Sequence, residues 1–435
     1  MATAFISSLA HGSPYGSSLF GYPSYWDVTL TGSDYFSGTY DAWCGNPTLF
    51  LSVGNTGTVD LYSTYSPASV YTQPNTAIPG SVFSGSTYSP SAAIAQLDNV
   101  NWLLNQHYTT NPQFSASEVQ LAIWRLLGFS TGSQYLQSAD WQEADVQTLV
   151  SQASSAAADS FVPGDDDVFA VIADPTFDYI SQGTNYGQAQ PIIIEARFAK
   201  LGDRVWLDAN ANGAQDAGEA GVAGVTVQLS GTDAFGQAVT RTTTTTASDN
   251  LATAGVDETG SYLFSRLAPG TYTVTFVLPS GYSFTTQLNP GNADGIANDS
   301  DANTATGVTS AVVLSSGEIE RDVDAGLYQG AAIGDRVWLD ANANGQQDAG
   351  EAGVAGVAVE LYACVNGQPS GSALAATTTD AAATTASPAS CPATTSSSSS
   401  PRTGYSLSPV DIGADGTDSD AGARRLHRLL HPRLR

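Results

Sequence analysis

The chain has 435 residues, room for two to four domains, and its 41 acidic against 14 basic side chains give a formal charge of −27. That charge disfavours nucleic acid, whose phosphates it would repel, and no apolar run approaches the ~18 residues needed to cross a bilayer. Ser, Thr, Gly and Ala dominate, as suits secreted β-modules with polar outer faces, and three cysteines (Cys44, Cys364, Cys391) are too few for a disulfide scaffold.

The chain opens MATAFISSLAHGS, with neither a basic start nor a long apolar core, so a secretory signal is not expected in it. A truncated gene start and a non-standard export route both stay open. Residues 1–198 do not repeat and mix strands with helices. Tyr25 to Leu30, Tyr35 to Trp43, Leu49 to Val53, Val59 to Thr64, Asp167 to Ile172 and Ile192 to Phe198 read as strands. Asn99 to Gln106 reads as a helix with Val100, Leu103 and Leu104 on one face. A second helix opens at Ser115-Ala116-Ser117-Glu118, a capping box, and stops near Gly128. A third is expected from about Ala139 to Ala157, capped by Ser138.

Two strings here go together: Tyr40-Asp41-Ala42-Trp43-Cys44 and Val119-Gln120-Leu121-Ala122-Ile123-Trp124. They are similar to the Cys and Gln motifs of bacterial thioester domains, found at the tips of surface adhesins. The resemblance implies that Cys44 and Gln120 condense to an internal thioester with loss of ammonia. From the residues alone, such an acyl group would be open to displacement by an amine or hydroxyl. Gln120 lies just past its helix's first turn, where backbone N–H groups are expected to stabilise an oxyanion, and Trp43 and Trp124 are expected to shield the bond. The plainer reading, a buried cysteine and a solvated helix glutamine, stays open.

Residues Asp208 to Glu219, DANANGAQDAGE, return at Asp340 to Glu351 as DANANGQQDAGE, an offset of 132. Each copy sets oxygen side chains at positions 1, 3, 5, 9 and 12 around a Gly at position 6, the spacing of a calcium-binding EF-hand loop. The expected ligands are Asp208, Asn210, Asn212, Asp216 and Glu219 with the Ala214 carbonyl, and Asp340, Asn342, Asn344, Asp348 and Glu351 with the Gln346 carbonyl. Three carboxylates and two amide oxygens are expected to converge in each loop. The alternative is an Asx-rich turn.

The flanks are not helical. Arg204 to Leu207 reads as extended, and Gly224 to Leu229, Gly260 to Phe264, Thr271 to Val277, Val308 to Leu314 and Ile319 to Leu327 as strands of an antiparallel sandwich. A second acidic group, Asp294, Asp299, Asp301, Asp322 and Asp324, reads equally as a second metal site or as a solvated loop. These residues resemble the calcium-binding B repeats of serine–aspartate-repeat surface proteins, a branch of the collagen-adhesin B-type sandwich, over 199–328 fully and 331–362 clearly. Related sandwiches often carry a Lys–Asn isopeptide bond. Lys200 is this chain's only lysine, and Asp322 to Tyr328 offers no Asn.

Residues 382–402 turn low-complexity where a tyrosine strand should stand, and the end reads ARRLHRLLHPRLR. A pair of reading-frame slips accounts for both, with a genuine basic tail as the alternative. The scattered His11, His107, His427 and His431 make no zinc arrangement, and no catalytic constellation is visible.

The expected fold is therefore mainly β: an N-terminal α+β thioester-like head (1–198), tandem Ig-like antiparallel β-sandwich repeats (199–328, and 331–423 truncated or degraded), and a basic tail (424–435). The expected function is that of a non-enzymatic, monomeric adhesin at the cell surface or outside the cell. Ca²⁺ would be its cofactor, and a surface protein or glycan of a host or neighbouring cell its partner. A passive matrix or glycan-binding protein is the alternative.

Overall fold

The computed structural model describes residues 2–11, 26–47, 56–65, 75–106, 114–130, 141–155, 161–181, 184–247, 258–288, 298–330, 336–365, 368–384 and 395–399. The expected strand Leu49 to Val53, Asp294, Cys391 and the basic tail lie outside them.

In the head the elements run β1 (Ala2–His11), β2 (Trp26–Thr31), β3 (Gly38–Cys44), β4 (Gly57–Ser63), α1 (Pro90–Ile94), α2 (Leu97–Leu104), α3 (Ala116–Leu126), α4 (Glu143–Ala153), β5 (Val168–Pro175), β6 (Asp178–Ser181), β7 (Thr184–Gln188) and β8 (Ile192–Arg197). Six strands close a barrel in the order β1-β2-β3-β8-β5-β4. All eight positions of β5 are buried, which explains its nearly unbroken apolar run: one face lines the barrel and α2 covers the other. The covering is specific. Asn101 on α2 accepts from Ala170 N at 2.7 Å, and Asn105 both accepts from Val168 N and donates to Val168 O at 2.8 Å.

The capping box at Ser115 and Glu118 is present. Glu118 also accepts the Gln142 N–H at 2.8 Å, tying α3 to the start of α4. That tie corrects the third expected helix. The helix runs from Glu143, after an extended Gln142, to Ala153, and its expected start at Ala139 behind Ser138 lies outside the described residues. Strand β1 escaped the sequence reading because its apolar residues, Phe5, Ile6 and Leu9 among them, do not alternate with polar ones.

The first repeat contains β9 (Ala199–Leu201), β10 (Val205–Leu207), β11 (Thr226–Asp233), β12 (Ala238–Thr244), β13 (Phe264–Leu267), β14 (Gly270–Phe276), β15 (Ser283–Phe284), β16 (Val312–Leu314), β17 (Ile319–Glu320) and β18 (Ala325–Tyr328). They form sheets β12-β11-β14-β16, β10-β18-β15 and β13-β9-β17 around one core built on Val227, Leu229, Tyr272, Val274 and Phe276. Most pairings are antiparallel. The opening strands run parallel to the closing ones, β9 beside β17 and β10 beside β18. Two expectations shift. The strand read at Gly260 to Phe264 lies at 264–267, and the segment Ile319 to Leu327 breaks into β17 and β18 around Arg321 to Asp324.

The second repeat shows β19 (Ala358–Val365), β20 (Gln368–Thr378) and β21 (Thr395–Ser399), in the order β20-β19-β21. The low-complexity segment thus contributes a strand, in the place where the repeat calls for a tyrosine strand.

Candidate functional site

Cys44 ends β3, and its neighbour β8 holds it in register opposite Ile192. The turn beyond is fixed on both sides: Gly45 N donates to Pro191 O at 2.8 Å, and Asn46 Nδ2 donates to Val82 O and Ser84 O. Gln120 projects from α3 and is fully buried. The two residues meet. Cys44 N donates to Gln120 Oε1 at 2.8 Å, and Gln120 Nε2 donates to Cys44 O at 3.0 Å. Trp124, one helical turn on, donates its indole N–H to the same carbonyl at 2.9 Å. Trp43 is 1% exposed and donates to Glu195 Oε1 at 2.9 Å.

This geometry corrects one expectation. The donor that reaches the glutamine's carbonyl oxygen is the Cys44 backbone N–H, not an amide at the start of α3. An N–H aimed at that oxygen stabilises the charge that develops there when the carbonyl carbon is attacked. The burial of Glu195 outweighs its Trp43 hydrogen bond and pushes its carboxyl up to about 7. Glu195 and Asn46 were not singled out from sequence. Only the adjacency of Asn46 to Cys44 offered a signal.

The repeated loops close on themselves alike. Asp208 Oδ2 accepts from Gly213 N at 2.8 Å, as Asp340 Oδ2 does from Gly345 N at 2.8 Å. Glu219 Oε1 accepts from Ala209 N and its Oε2 from Asp216 N, and Glu351 repeats both bonds with Ala341 and Asp348. Asn210 and Asn212 turn their amides onto Asp216 Oδ2, as Asn342 and Asn344 do onto Asp348. Gly213 has φ 86°, and a Cβ there would meet Thr286 O at 2.3 Å, so the position admits glycine alone. Among the described residues, no three His, Cys, Asp or Glu side chains gather closely enough to hold a metal. The three carboxylates of each loop are thus not drawn into one cluster. Their oxygens are occupied by backbone and amide N–H groups instead.

The donor set nevertheless fits a hard cation: aspartate, asparagine and glutamate oxygens on one tight turn, with Ala214 between them. The second acidic group adjoins it. Ala214 bridges to Asp299, and Gly213 O accepts from Ser300 N at 3.1 Å. Asp324 is fully buried; its Oδ1 accepts from Arg204 N at 2.9 Å, while its Oδ2 is buried with no hydrogen-bond partner. An orphaned buried carboxylate oxygen is costly without a cation or proton. Asp301 Oδ2 accepts from Asp324 N, and Asp203, missed in the sequence, is close enough to push the Asp324 carboxyl further up. Asp322 is partly buried and gives its N–H to Glu320 Oε1, and its charge reaches the same group, adding to the upward push on Asp324 and Asp203. The lone lysine makes an ion pair, Lys200 Nζ to Asp166 Oδ1 at 2.8 Å.

No helix among the described residues is long and apolar enough to cross a membrane. Comparison with known proteins matches the SdrD B-like domain over residues 199–327 and 331–429. Serine-aspartate repeat-containing protein C of Staphylococcus aureus (strain N315) is 39% identical over 224 residues, 51% of this chain and 21% of that protein. This chain thus spans about a fifth of the length of that curated relative. Among solved structures, the Bacillus anthracis TIE protein aligns with 92% of this chain and 77% of its own at 9% identity and TM-score 0.22. A streptococcal ancillary pilin aligns with 68% of this chain and 87% of its own at 12% identity and TM-score 0.23. The mainly β chain, with its matched pair of repeats, belongs to the SdrD B-like domain family.

Proposed function

We propose that the protein is a surface-displayed, non-enzymatic adhesin-like molecule, with a thioester-bearing head (1–198) on calcium-stiffened B-type repeats (199–328 and 331–423). The observation that carries the head's part is the reciprocal hydrogen bonding of Cys44 and Gln120 in a buried site. In the bond-forming step Cys44 Sγ attacks Gln120 Cδ, the Cδ–Nε2 bond breaks, and the amide nitrogen leaves as ammonia with the thiol proton. The Cys44 N–H steadies the oxygen throughout. An amine on a host or neighbouring-cell surface protein, or a glycan hydroxyl, then attacks Cδ and returns the sulfur as a thiol.

In the repeats, Ca²⁺ would be held by Asp208, Asn210, Asn212, Asp216, Glu219 and the Ala214 carbonyl, and by their counterparts Asp340, Asn342, Asn344, Asp348, Glu351 and the Gln346 carbonyl. A second cation beside Asp299, Asp301 and Asp324 would neutralise the orphaned oxygen. Bound metal joins loops only in the folded state, so it stiffens and stabilises each repeat. Likeness to surface-protein repeats supports a location at the cell surface or outside the cell.

The test is an intact mass of the full chain, which should lie ~17 Da below the sequence mass and move to ~14 Da above it with methylamine. A mass equal to the sequence, with Cys44 alkylated after unfolding, would leave the passive matrix or glycan-binding reading in its place.

A further inference from the structure

We infer that the first repeat is an integral part of the head rather than an independent stalk module, docked through a hairpin tip that the second repeat does not share. The tip joins β11 to β12. Ala234 and Phe235 are 5% and 7% exposed, and they pack with the head's core instead of the repeat's own. Phe235 lies 5.7 Å from Phe36, ring centre to ring centre and tilted at 53°. The tip is built to present it: Asp233 Oδ1 accepts the N–H groups of both Phe235 and Gln237 at 2.9 Å, and Gly236 turns the chain at φ 83°.

Further contacts flank this plug on two sides. The Ser315–Gly317 turn donates Ser316 N to Tyr35 O at 3.0 Å and Gly317 N to Arg197 O at 3.1 Å, and Ser316 Oγ accepts from Arg197 N at 2.9 Å. Tyr35 Oη and Thr271 Oγ1 share a hydrogen bond at 3.0 Å. On the other side the Arg266 guanidinium sits 5.7 Å over the ring of Phe198, which stacks on Phe169 at 4.5 Å. Arg266 holds φ 53°, in the left-handed region, and its carbonyl accepts from Arg241 Nη2 at 2.9 Å.

The sequence of the second repeat agrees. Where the first reads Thr232-Asp233-Ala234-Phe235-Gly236-Gln237, the second is one residue shorter and reads Cys364-Val365-Asn366-Gly367-Gln368. The turn glycine and glutamine are kept, while the carboxylate that braces the tip and the aromatic plug are both replaced. The docking face therefore belongs to the repeat that adjoins the head.

Hydrogen–deuterium exchange on the full chain tests this, because it reads each segment separately. Phe235→Asn places the second repeat's residue at the tip. Exchange at 34–40 and 168–173 should accelerate at least tenfold, while the repeat's own core strand at 271–276 stays protected. Ser316→Gly, in a turn that carries none of the repeat's core side chains, should accelerate 34–40 and 197–201 independently of how Phe235→Asn folds. Head exchange unchanged within twofold in Ser316→Gly, or in a Phe235→Asn variant that keeps 271–276 protected, would overturn the inference.

Discussion

Asp60 and Asp174 stand directly opposite each other across β4 and β5, a like-charge pair in the wall of the barrel. Burial, then the charge of Asp60, pushes Asp174 up to about 6, against one compensating hydrogen bond from Gln188. Like charges directly opposed across a strand pair destabilise it. The folded head therefore binds a proton here that the unfolded chain, with its carboxyl near ~4, has released. Its contribution to stability is fully present below about pH 4 and is lost as pH rises through about 6. Asp174→Asn should remove that loss. Relative to the unaltered protein, the variant is expected to gain on the order of 2 kcal/mol between pH 4 and pH 8. Urea unfolding at both pH values checks this, and an equal difference at the two would contradict it.

The Cys44–Gln120 contact predicts an asymmetric response to conservative change. Gln120→Glu keeps an acceptor for the Cys44 N–H but loses the donor to Cys44 O and sets a carboxylate against that carbonyl. Cys44 O keeps the Trp124 indole N–H, so the penalty comes from the new carboxylate, whose second oxygen is buried against that carbonyl with no donor and costs roughly 1–3 kcal/mol or more. Thermal melting followed by tryptophan fluorescence should show that drop, since Trp43 and Trp124 are both buried beside the pair. The same variant should show no ~17 Da deficit, because an amide is needed to release ammonia. A deficit that persisted would place the lost ammonia at another residue.

Much of this was legible in the sequence because local rules carried it. The capping box at Ser115, the glycine of each acidic loop and the alternation of Thr271 to Phe276 all depend on neighbours within a few residues. What escaped depends on distant partners. Asp203 is ordinary until folding sets it beside Asp324, and Glu195 is an outward strand residue until Trp43 covers it. The start of α4 moved for the same reason: Glu118, twenty-four residues upstream, captures the Gln142 N–H. Phe235 lay in no segment that the sequence singled out, and its burial comes from the head.

Metal removal should separate the two acidic groups of the first repeat. At calcium a hundredfold above its dissociation constant, binding adds about 2.7 kcal/mol to the folded state. That corresponds to roughly 10 °C in the melting of a domain this size. A chelator should therefore lower the melting of the full chain by a shift of that order. Glu219→Gln removes one charge while retaining an acceptor for the Ala209 or Asp216 N–H, so its metal-free stability should fall by about 1 kcal/mol or less. Its response to calcium should fall far more. Melting indifferent to chelator would remove calcium from the proposed function.

The second repeat gives the sharpest stability prediction. The register that pairs β11 with β14 puts Tyr272, Val274 and Phe276 opposite Gly231, Leu229 and Val227. The corresponding register of β19 with β21 puts Thr395, Ser397 and Ser399 opposite Ala363, Leu361 and Val359. A strand that supplies three large core side chains in the first repeat is thus replaced by small hydroxyl residues in the second. The backbone register is kept in that exchange, while the sequence offers no large apolar residue at the three positions. Restoring the first repeat's residues there should add apolar burial. Ser397→Val is expected to add about 1 kcal/mol and Ser399→Phe about 2 kcal/mol, on the scale of burying those side chains. Limited proteolysis of the full chain should then cut more slowly within 358–399, with the rate at 199–328 unchanged. If neither variant slows it, the serine strand occupies a site with no core to fill, and the second repeat is held together by its acidic loop and the β19–β20 hairpin alone.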